Sequence, residues 1–237
     1  MNCIFKVKCV TFVVLLLAGS SVGVFVLKPG RCPKVTGQEQ FEKTRYAGVW
    51  YEYQRFPDVV SEGLDCTSYT FYDTWHSMRV VKNGTLRADF FGNKFIMANI
   101  SVNGLVTVLN EAKPAELNIV YGKASPRRKA NYIIQDTDYK SYSVVFSCTQ
   151  MQDFNMQNAY ILTRVRGVAP PNLAELESKL TEAGVDVSAF FVVHQKGCPD
   201  YSIVQEDDSG RLSLGGSHVW VKAGGAGKKI RMGEGAM

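Results

Sequence analysis

The chain is poor in the residues that catalytic sites use. Histidine occurs three times in 237 residues, at His76, His194 and His218, and no two of these have the spacing of paired metal ligands. The sequence also lacks a nucleophile elbow, a phosphate-binding glycine loop and the pattern of a Ser-His-Asp triad. These absences argue against an enzyme, and we predict no catalytic residue and no metal site.

Positive charge is scarce in the central part of the chain. The formal net charge is +5, but residues 1–8 contribute +2 and residues 209–237 contribute +4, which leaves −1 for everything between them. A domain that binds nucleic acid carries a basic patch on its folded surface. Nucleic acid is therefore not an expected partner.

Long apolar runs are absent after residue 27. The one such run, residues 9–27, follows a short basic start and is interrupted by small residues from position 18 onward. This order is typical of a secretory signal peptide, predicted over residues 1–21 with cleavage near residues 20–23. The alternative is a signal anchor, because the run approaches the roughly 20 residues that span a bilayer. We expect a secreted, extracellular protein without a transmembrane segment after cleavage or a C-terminal lipid-anchor signal.

Cysteine is also infrequent. Once the signal peptide is removed, four cysteines remain, and an even number in an oxidising compartment predicts two disulfide bonds. They are Cys32, Cys66, Cys148 and Cys198. Their order alone leaves three pairings open, and none of the spacings is that of a zinc site.

Two Asn-x-Ser/Thr triplets begin at Asn83 and Asn99 and are candidate glycosylation acceptors, which agrees with secretion. The Asn83-Gly84 pair also lies between two predicted strand segments, residues 80–82 and 85–87. Asn-Gly tolerates positive φ at both central positions of a tight turn, so the pair predicts a two-residue hairpin.

Most of the chain consists of short segments in which apolar and polar residues alternate. The predicted strands are 49–55, 67–72, 78–82, 85–90, 95–102, 105–110, 117–121, 130–135, 142–148 and 159–165. Parallel strands need long crossover connections, so consecutive strands with short connections favour an antiparallel barrel or sandwich. A barrel of about eight strands has no open edge and is wide enough to hold one small ligand.

One helix is predicted late in the chain. Residues 170–184 begin with proline, place three leucines at helical spacing and end at Gly184, and a short strand is expected at residues 189–194. The last 29 residues contain eight glycines and show no helix or strand period. We therefore predict one barrel domain with its helix over residues 22–200, followed by a disordered glycine-rich tail over residues 201–237.

The stretch YAGVWYEYQRFP, residues 46–57, alternates with the period of a strand that is entered at Gly48 and ends before Pro57. Glycine allows the backbone to bend, and Trp50 is large enough to plug one end of a small barrel. The Gly48-x-Trp50 pair resembles the first signature of the lipocalin family.

Two further signatures follow in the order of that family. Asp138 and Tyr139 resemble its Thr-Asp-Tyr turn between the sixth and seventh strands, and Arg164 resembles its arginine after the eighth strand. In the family this arginine packs over the tryptophan at the closed end of the barrel, so the resemblance implies structural roles for these residues. It also implies an all-β fold, an eight-stranded antiparallel up-and-down barrel with one C-terminal α-helix packed outside.

Within the family, residues 31–200 resemble apolipoprotein D and the arthropod bilin-binding, carotenoid-binding and Lazarillo-like lipocalins. That subgroup pairs its first cysteine with its third and its second with its fourth, which implies the bonds Cys32–Cys148 and Cys66–Cys198. The resemblance further implies a carrier of a small hydrophobic ligand, such as a lipid, sterol, retinoid, carotenoid or bilin, with no other cofactor. The alternative is a pigment-complex subunit or a receptor-binding protein, with homo- or hetero-oligomers as partners.

Candidate ligand-binding residues are the aromatic and apolar side chains that alternate along the strands. A bulge reverses the direction in which side chains face, so the sequence leaves open which set points inward. The candidates are Tyr69, Phe71, Phe90, Phe95, Met97, Leu117, Ile119, Tyr121, Tyr132, Ile134, Tyr142, Val144 and Phe146.

Overall fold

The computed structural model describes residues 25–58, 61, 63–74, 77–90, 93–122, 129–199, 218–221 and 228–231, with the backbone alone for residues 74, 77, 88–90, 93–97 and the last two segments. The strands are β1 (Val26–Pro29), β2 (Gly48–Arg55), β3 (Leu64–Thr74), β4 (Ser77–Phe90), β5 (Asn93–Val108), β6 (Glu116–Tyr121), β7 (Tyr132–Thr137), β8 (Tyr142–Met151), β9 (Phe154–Thr163), β10 (Phe191–Val192), β11 (His218–Val221) and β12 (Lys228–Arg231). The helices are α1 (Lys43–Tyr46) and α2 (Leu173–Glu182). The predicted signal peptide lies outside the described residues, and the domain boundaries stay predictions.

Strands β2 to β9 form a closed antiparallel barrel. Each strand pairs with the next one in the chain, and β9 pairs back with β2, where Thr163 lies opposite Tyr51. The short strand β1 extends β9 beside this seam, and β10 adds to the end of β2. The predicted eight-stranded antiparallel barrel with one helix outside it is confirmed.

The predicted hairpin at Asn83-Gly84 is wrong. Both residues lie inside β4, where Asn83 is opposite Ser68 of β3 and Ser101 of β5. Because a strand is available on each side, ladder hydrogen bonds outweigh the local turn preference of Asn-Gly. The predicted strands 95–102 and 105–110 are likewise parts of the single strand β5.

The side chains of the barrel form two apolar cores, one on each face of its wall. The inner core lies inside the barrel and contains Phe41, Tyr46, Trp50, Tyr69, Phe71, Met78, Val80, Val106, Ala115, Leu117, Ile119, Tyr132, Ile134, Tyr139, Val145 and Leu162. The outer core lies between β7–β9 and α2 and contains Val26, Val35, Phe56, Val144, Phe146, Ala159, Leu176, Leu180 and Val185. Leu176 and Leu180 are one turn apart, which explains how one face of α2 becomes fully buried.

Two disulfide bonds fasten the chain ends of the domain to the barrel. Cys32–Cys148 joins the N-terminal arm to β8, and Cys66–Cys198 joins the C-terminal segment to β3. These are the two pairs that the resemblance implies. They span 116 and 132 residues, so each one closes a long loop of the unfolded chain.

The C-terminal part differs from its prediction in detail. The helix is shorter than the predicted span of residues 170–184, and the predicted strand 189–194 is reduced to the two residues of β10. In the predicted disordered tail, the described residues are two short strands; β11 pairs with β12 and with residues 99–101 of β5. The rest of the tail lies outside the described residues. The longest helix in the described part of the chain has ten residues, and none there could span a membrane.

Candidate ligand-binding site

The floor of the barrel is built around Trp50. The indole Nε1 donates to the carbonyl oxygen of Tyr46 at 2.9 Å, and the guanidinium carbon of Arg164 lies 3.7 Å from the centroid of the Trp50 ring. The Arg164 guanidinium also donates to the carbonyl oxygens of Val49 and Ala47, at 2.8 and 2.9 Å. These contacts close one end of the barrel.

The turn between β7 and β8 lies at the same closed end. The Asp138 carboxylate accepts hydrogen bonds from the backbone N–H groups of Lys140, Ser141 and Tyr142 and from the Ser141 hydroxyl. Partial burial would raise the pKa of Asp138, but these hydrogen bonds outweigh it and lower that pKa. Tyr139 adopts φ 65°, and its carbonyl oxygen accepts from Arg164 Nε at 3.1 Å. The signature residues therefore shape the floor of the barrel.

Seven of the thirteen candidate ligand residues face the barrel interior. They are Tyr69, Phe71, Leu117, Ile119, Tyr121, Tyr132 and Ile134. Tyr69 is central in this group, because its ring centroid lies 6.4 Å from those of both Phe71 and Tyr132. Gly104 provides space for one member of the group, since a Cβ atom at this glycine would lie 2.9 Å from the Tyr121 ring.

Three candidates on β8 face outward, contrary to prediction. Val144 and Phe146 belong to the outer core, and Tyr142 packs against that core. The inward residue of this segment is Val145, so on β8 the parity that the sequence left open is the opposite of that of the three candidates. The reason is that α2 covers the outside of β7–β9 and makes both faces of β8 apolar, so alternation cannot distinguish them.

Phe90, Phe95 and Met97 lie on β4 and β5, but their side chains are outside the described residues. Their role in binding stays a prediction.

Several inward residues were not predicted from the sequence. Tyr160 and Leu162 of β9 line the interior, and so do Glu52 and Arg55 of β2. Glu52 could have been predicted from the sequence, because it lies two residues after Trp50 on the same face of the strand. Arg55 could not have been predicted, because simple alternation would place it on the opposite face from Glu52. It faces inward because the β2–β9 pairing shifts register between Glu52 and Gln54.

A buried ionic network occupies one wall of the interior. The Glu52 carboxylate is fully buried; it accepts from Arg55 Nη1 at 2.7 Å and from the Tyr69 hydroxyl at 2.6 Å. Arg55 Nη2 donates to the carbonyl oxygens of Ser61 and Leu64, at 2.6 and 2.7 Å. The network thus ties β2 and β3 to the loop between them.

The pKa of Glu52 shows how this carboxylate tolerates burial. Burial would raise its pKa, but the charges of Lys82 and Arg55 and the hydrogen bonds from Tyr69 and Arg55 together hold that pKa below its ordinary value. Glu52 is therefore ionised at neutral pH. Burying a carboxylate is unfavourable unless it is paired, and here cations and donors surround it.

Two tyrosines on the inner face, Tyr121 and Tyr160, each keep part of their surface accessible. Burial raises the pKa of both phenols well above the ordinary tyrosine value, with the Glu52 charge adding to the Tyr121 shift and the Asp58 and Glu52 charges adding to the Tyr160 shift. Both rings pack against the inner core, so they are candidates to contact a ligand inside the barrel.

Apolar side chains surround the open end of the barrel. Beyond the inner core, the inward alternation of β9 continues through Asn158, Met156 and Phe154, and the last two have Leu27 and Met151 as cross-strand neighbours. Leu27, Met151 and Phe154 are about half exposed, at 51, 52 and 54%. The rim is therefore apolar, with a polar band at Asn158 and its neighbour Ser147 between it and the inner core.

The two candidate glycosylation sites have different environments. Asn83 is buried, and its Oδ1 accepts from the Ser101 hydroxyl at 2.8 Å, so a glycan there would require the side chain to leave this position. Asn99 is partly accessible, and its Oδ1 accepts from the Thr85 hydroxyl at 3.0 Å. Glycosylation of either residue stays a prediction.

Comparison with known proteins agrees with this architecture. Residues 41–195 match the lipocalin-like domain family. Rabbit (Oryctolagus cuniculus) apolipoprotein D is 31% identical over 73% of this chain and 86% of its own length, and the Lazarillo protein of Schistocerca americana is 26% identical over 69% and 74%. The solved structure of lobster apocrustacyanin A1 has the same fold, with a TM-score of 0.55 and 22% identity over 74% of this chain and 93% of that one. The chain therefore belongs to the lipocalin family.

Proposed function

We propose that this protein is a secreted carrier that binds one small hydrophobic ligand inside its barrel. Lipids, sterols, retinoids and pigments such as carotenoids or bilins are the candidate ligands, because each needs an apolar pocket with few polar groups. The observation that carries this proposal is a closed eight-stranded barrel with an aromatic and apolar inner face, on which Tyr121 and Tyr160 keep partly accessible surface. The proposed role is transport, with no catalytic step.

The driving force would be removal of apolar surface from water. A ligand that buries about 400 Å² of apolar surface gains about 10 kcal/mol before the costs of association are subtracted. The floor around Trp50 prevents the ligand from passing through, and the rim at Phe154 covers a part that protrudes. Secretion is supported by the two disulfide bonds, which persist in oxidising compartments, together with the predicted signal peptide.

The direct test is to isolate the native protein, record its absorption spectrum and identify the extracted ligand by mass spectrometry. A visible chromophore would select a pigment, and a colourless extract would select a lipid, sterol or other non-pigment ligand. In parallel, the delipidated protein should bind a fluorescent hydrophobic probe with micromolar affinity or better. Absence of both an extracted ligand and probe binding would contradict the proposal.

A matched pair of variants locates the site. Asn158→Trp puts a large ring on the inner face above Tyr160, whereas Gln152→Trp puts the same ring on the exposed turn between β8 and β9. We expect probe affinity to fall at least about tenfold in the first variant and to stay unchanged in the second. Equal affinities would place the probe outside the barrel.

The alternative of a pigment-complex subunit or a receptor-binding protein stays a prediction. Size-exclusion chromatography of the native material tests it, since a simple carrier should elute as one chain.

A further inference from the structure

The interior contains an ammonium group with unused hydrogen-bond donors. Lys82 of β4 lies opposite Tyr69, and its side chain is only 11% exposed. Its Nζ donates to the Ser61 hydroxyl at 2.7 Å, while the nearest carboxylate oxygen, Glu52 Oε1, is 4.0 Å away. An ammonium has three N–H donors, so among the described residues two lack an acceptor at hydrogen-bond distance.

Two phenols near the same carboxylate also have free donors. The Tyr160 ring centroid lies 6.3 Å from that of Tyr69, and Lys82 Nζ lies 5.4 Å from the same Tyr69 ring. Tyr121 lies across Gly104 from Val80, two residues before Lys82 on the inner face of β4. Among the described residues, neither the Tyr121 hydroxyl nor the Tyr160 hydroxyl has a hydrogen-bond partner. Glu52 already accepts from Arg55 and Tyr69. Free donors therefore outnumber free acceptors on this wall, where Asp58 Oδ2 is a buried acceptor without a partner.

The charges on this wall nevertheless balance. Arg55 and Lys82 are the cations, and Glu52 and Asp58 are the anions. The Asp58 carboxylate acts electrostatically on Arg55, and its Oδ1 accepts from the backbone N–H of Ser61 at 2.9 Å. An anionic ligand would add an unbalanced charge to a nearly buried site, which is unfavourable, whereas a neutral oxygen accepts the free donors without that penalty.

We infer that the cavity selects hydrophobic ligands with a neutral oxygen acceptor, a carbonyl or hydroxyl oxygen, bound by Lys82 with Tyr121 and Tyr160, over ligands with a free carboxylate. This inference rests on the proposed carrier function and specifies the ligand class for the same site. The apolar part of the ligand would extend along the inner face of β9 toward the rim.

The test compares three ligands with the same carbon number: a long-chain methyl ketone, the carboxylic acid and the alkane. Each is measured by displacement of a fluorescent hydrophobic probe at neutral pH. We expect the ketone to bind about tenfold more tightly than the alkane, the effect of one added hydrogen bond from a charged donor, and more tightly than the acid. Tighter binding of the acid, or equal binding of ketone and alkane, would overturn the inference. Failure of all three to displace the probe would instead count against the carrier function.

Substitutions at Lys82, Tyr121 and Tyr160 test whether these side chains cause the preference for ketone over alkane. Lys82→Met keeps the length of the side chain and removes the donors, so the preference for ketone over alkane should vanish while alkane affinity stays within about twofold. Lys113→Met, at an exposed lysine, is the control and should behave as the parent. Tyr121→Phe and Tyr160→Phe remove one hydroxyl each, so they test the site even if Lys82→Met does not fold, and each should reduce the preference. If Lys82→Met, Tyr121→Phe and Tyr160→Phe all keep the parent's preference for ketone over alkane, the inference is overturned.

Discussion

Arg164 covers the face of Trp50 at the closed end of the barrel, with its guanidinium carbon 3.7 Å from the ring centroid. The same guanidinium donates to backbone carbonyl oxygens on both sides of the start of β2 and on the turn before β8. The Arg164 side chain thus joins β2, the first strand of the barrel, to the chain that follows β9, the last strand of the barrel. Backbone pairing between β2 and β9 closes the barrel, and the hydrogen bonds of Arg164 reinforce this closure.

Trp50→Ala should lower the free energy of unfolding by about 3 to 5 kcal/mol, because a fully buried indole is replaced by a cavity and Arg164 loses its ring contact. Urea denaturation followed by circular dichroism measures this change. Phe154→Ala, at an exposed phenylalanine, is the control and should change stability by no more than about 0.5 kcal/mol. A Trp50→Ala variant that unfolds with the parent would show that the ring does not plug the barrel.

Gly48→Ala should destabilise the barrel by about 1 to 3 kcal/mol, because φ at this residue is 97° and side chains are strained in that region. Its Cβ would also lie 3.1 Å from Arg164 Nη1. Gly30→Ala is the control, with φ 85° and open space around the added atom. Both variants introduce strain at positive φ, so the difference between their melting temperatures reports the crowding of the added Cβ atom against Arg164. If Gly48→Ala is as stable as Gly30→Ala, that crowding does not affect stability.

The Glu52–Arg55 pair should be strongly coupled. Removing either charge, by Glu52→Gln or Arg55→Met, leaves the other buried without its partner at a cost of about 3 to 5 kcal/mol. The double variant should therefore cost much less than the sum of the two, in a double-mutant cycle from urea unfolding. The exposed Lys113–Glu116 pair provides the comparison and should couple by less than about 1 kcal/mol. Equal coupling in both pairs would mean that burial does not strengthen the internal one.

Acid should destabilise the protein partly through Glu52. Its pKa in the folded state lies below the ordinary value of 4.5, so its contribution to stability is present above pH 4.5 and is lost as the pH falls through the folded value. The free energy of unfolding should therefore decline below pH 4.5, and Glu52→Gln should make the decline shallower.

The exposed Asp186 is a useful comparison for this titration. A hydrogen bond from Lys28 lowers the pKa of Asp186 to about 2, but solvent screens that pair. Asp186→Asn should change the pH dependence less than Glu52→Gln, and its effect should disappear in high salt. An equal effect of the two substitutions would argue against the internal network.

Each disulfide should contribute about 4 to 5 kcal/mol, since each closes a loop of more than a hundred residues in the unfolded chain. Replacing Cys66 and Cys198 together by serine should lower the midpoint of urea unfolding and release the C-terminal segment from β3. Limited proteolysis should then cleave the chain near residue 199 faster than in the parent. The Cys32/Cys148 double variant is the control, because it leaves the Cys66–Cys198 bond in place and should not be cleaved faster there. Unchanged midpoints in both double variants would contradict the loop-entropy argument.

The sequence alone determines the architecture of this protein. Alternation with a period of two, short connections and a single late amphipathic pattern lead to an antiparallel barrel or sandwich with one helix. The resemblance of Gly48, Trp50 and Arg164 to the lipocalin signatures selects the barrel and implies its closed end. These signals are local, or are carried by side chains whose chemistry suits few other places, so they can be read before the chain is folded.

Only the tertiary structure decided which side chains meet the cavity. Asn83-Gly84 has the preference of a turn but is held extended by a strand on each side, and Val144 is as apolar as Val145 although only the latter faces inward. Arg55 points inward because of one register shift, and Lys82 comes to lie over the Tyr69 ring only when β3 and β4 pair. Facing direction and long-range pairing depend on contacts between residues far apart in the chain, and the alternation of a single strand contains no information about them.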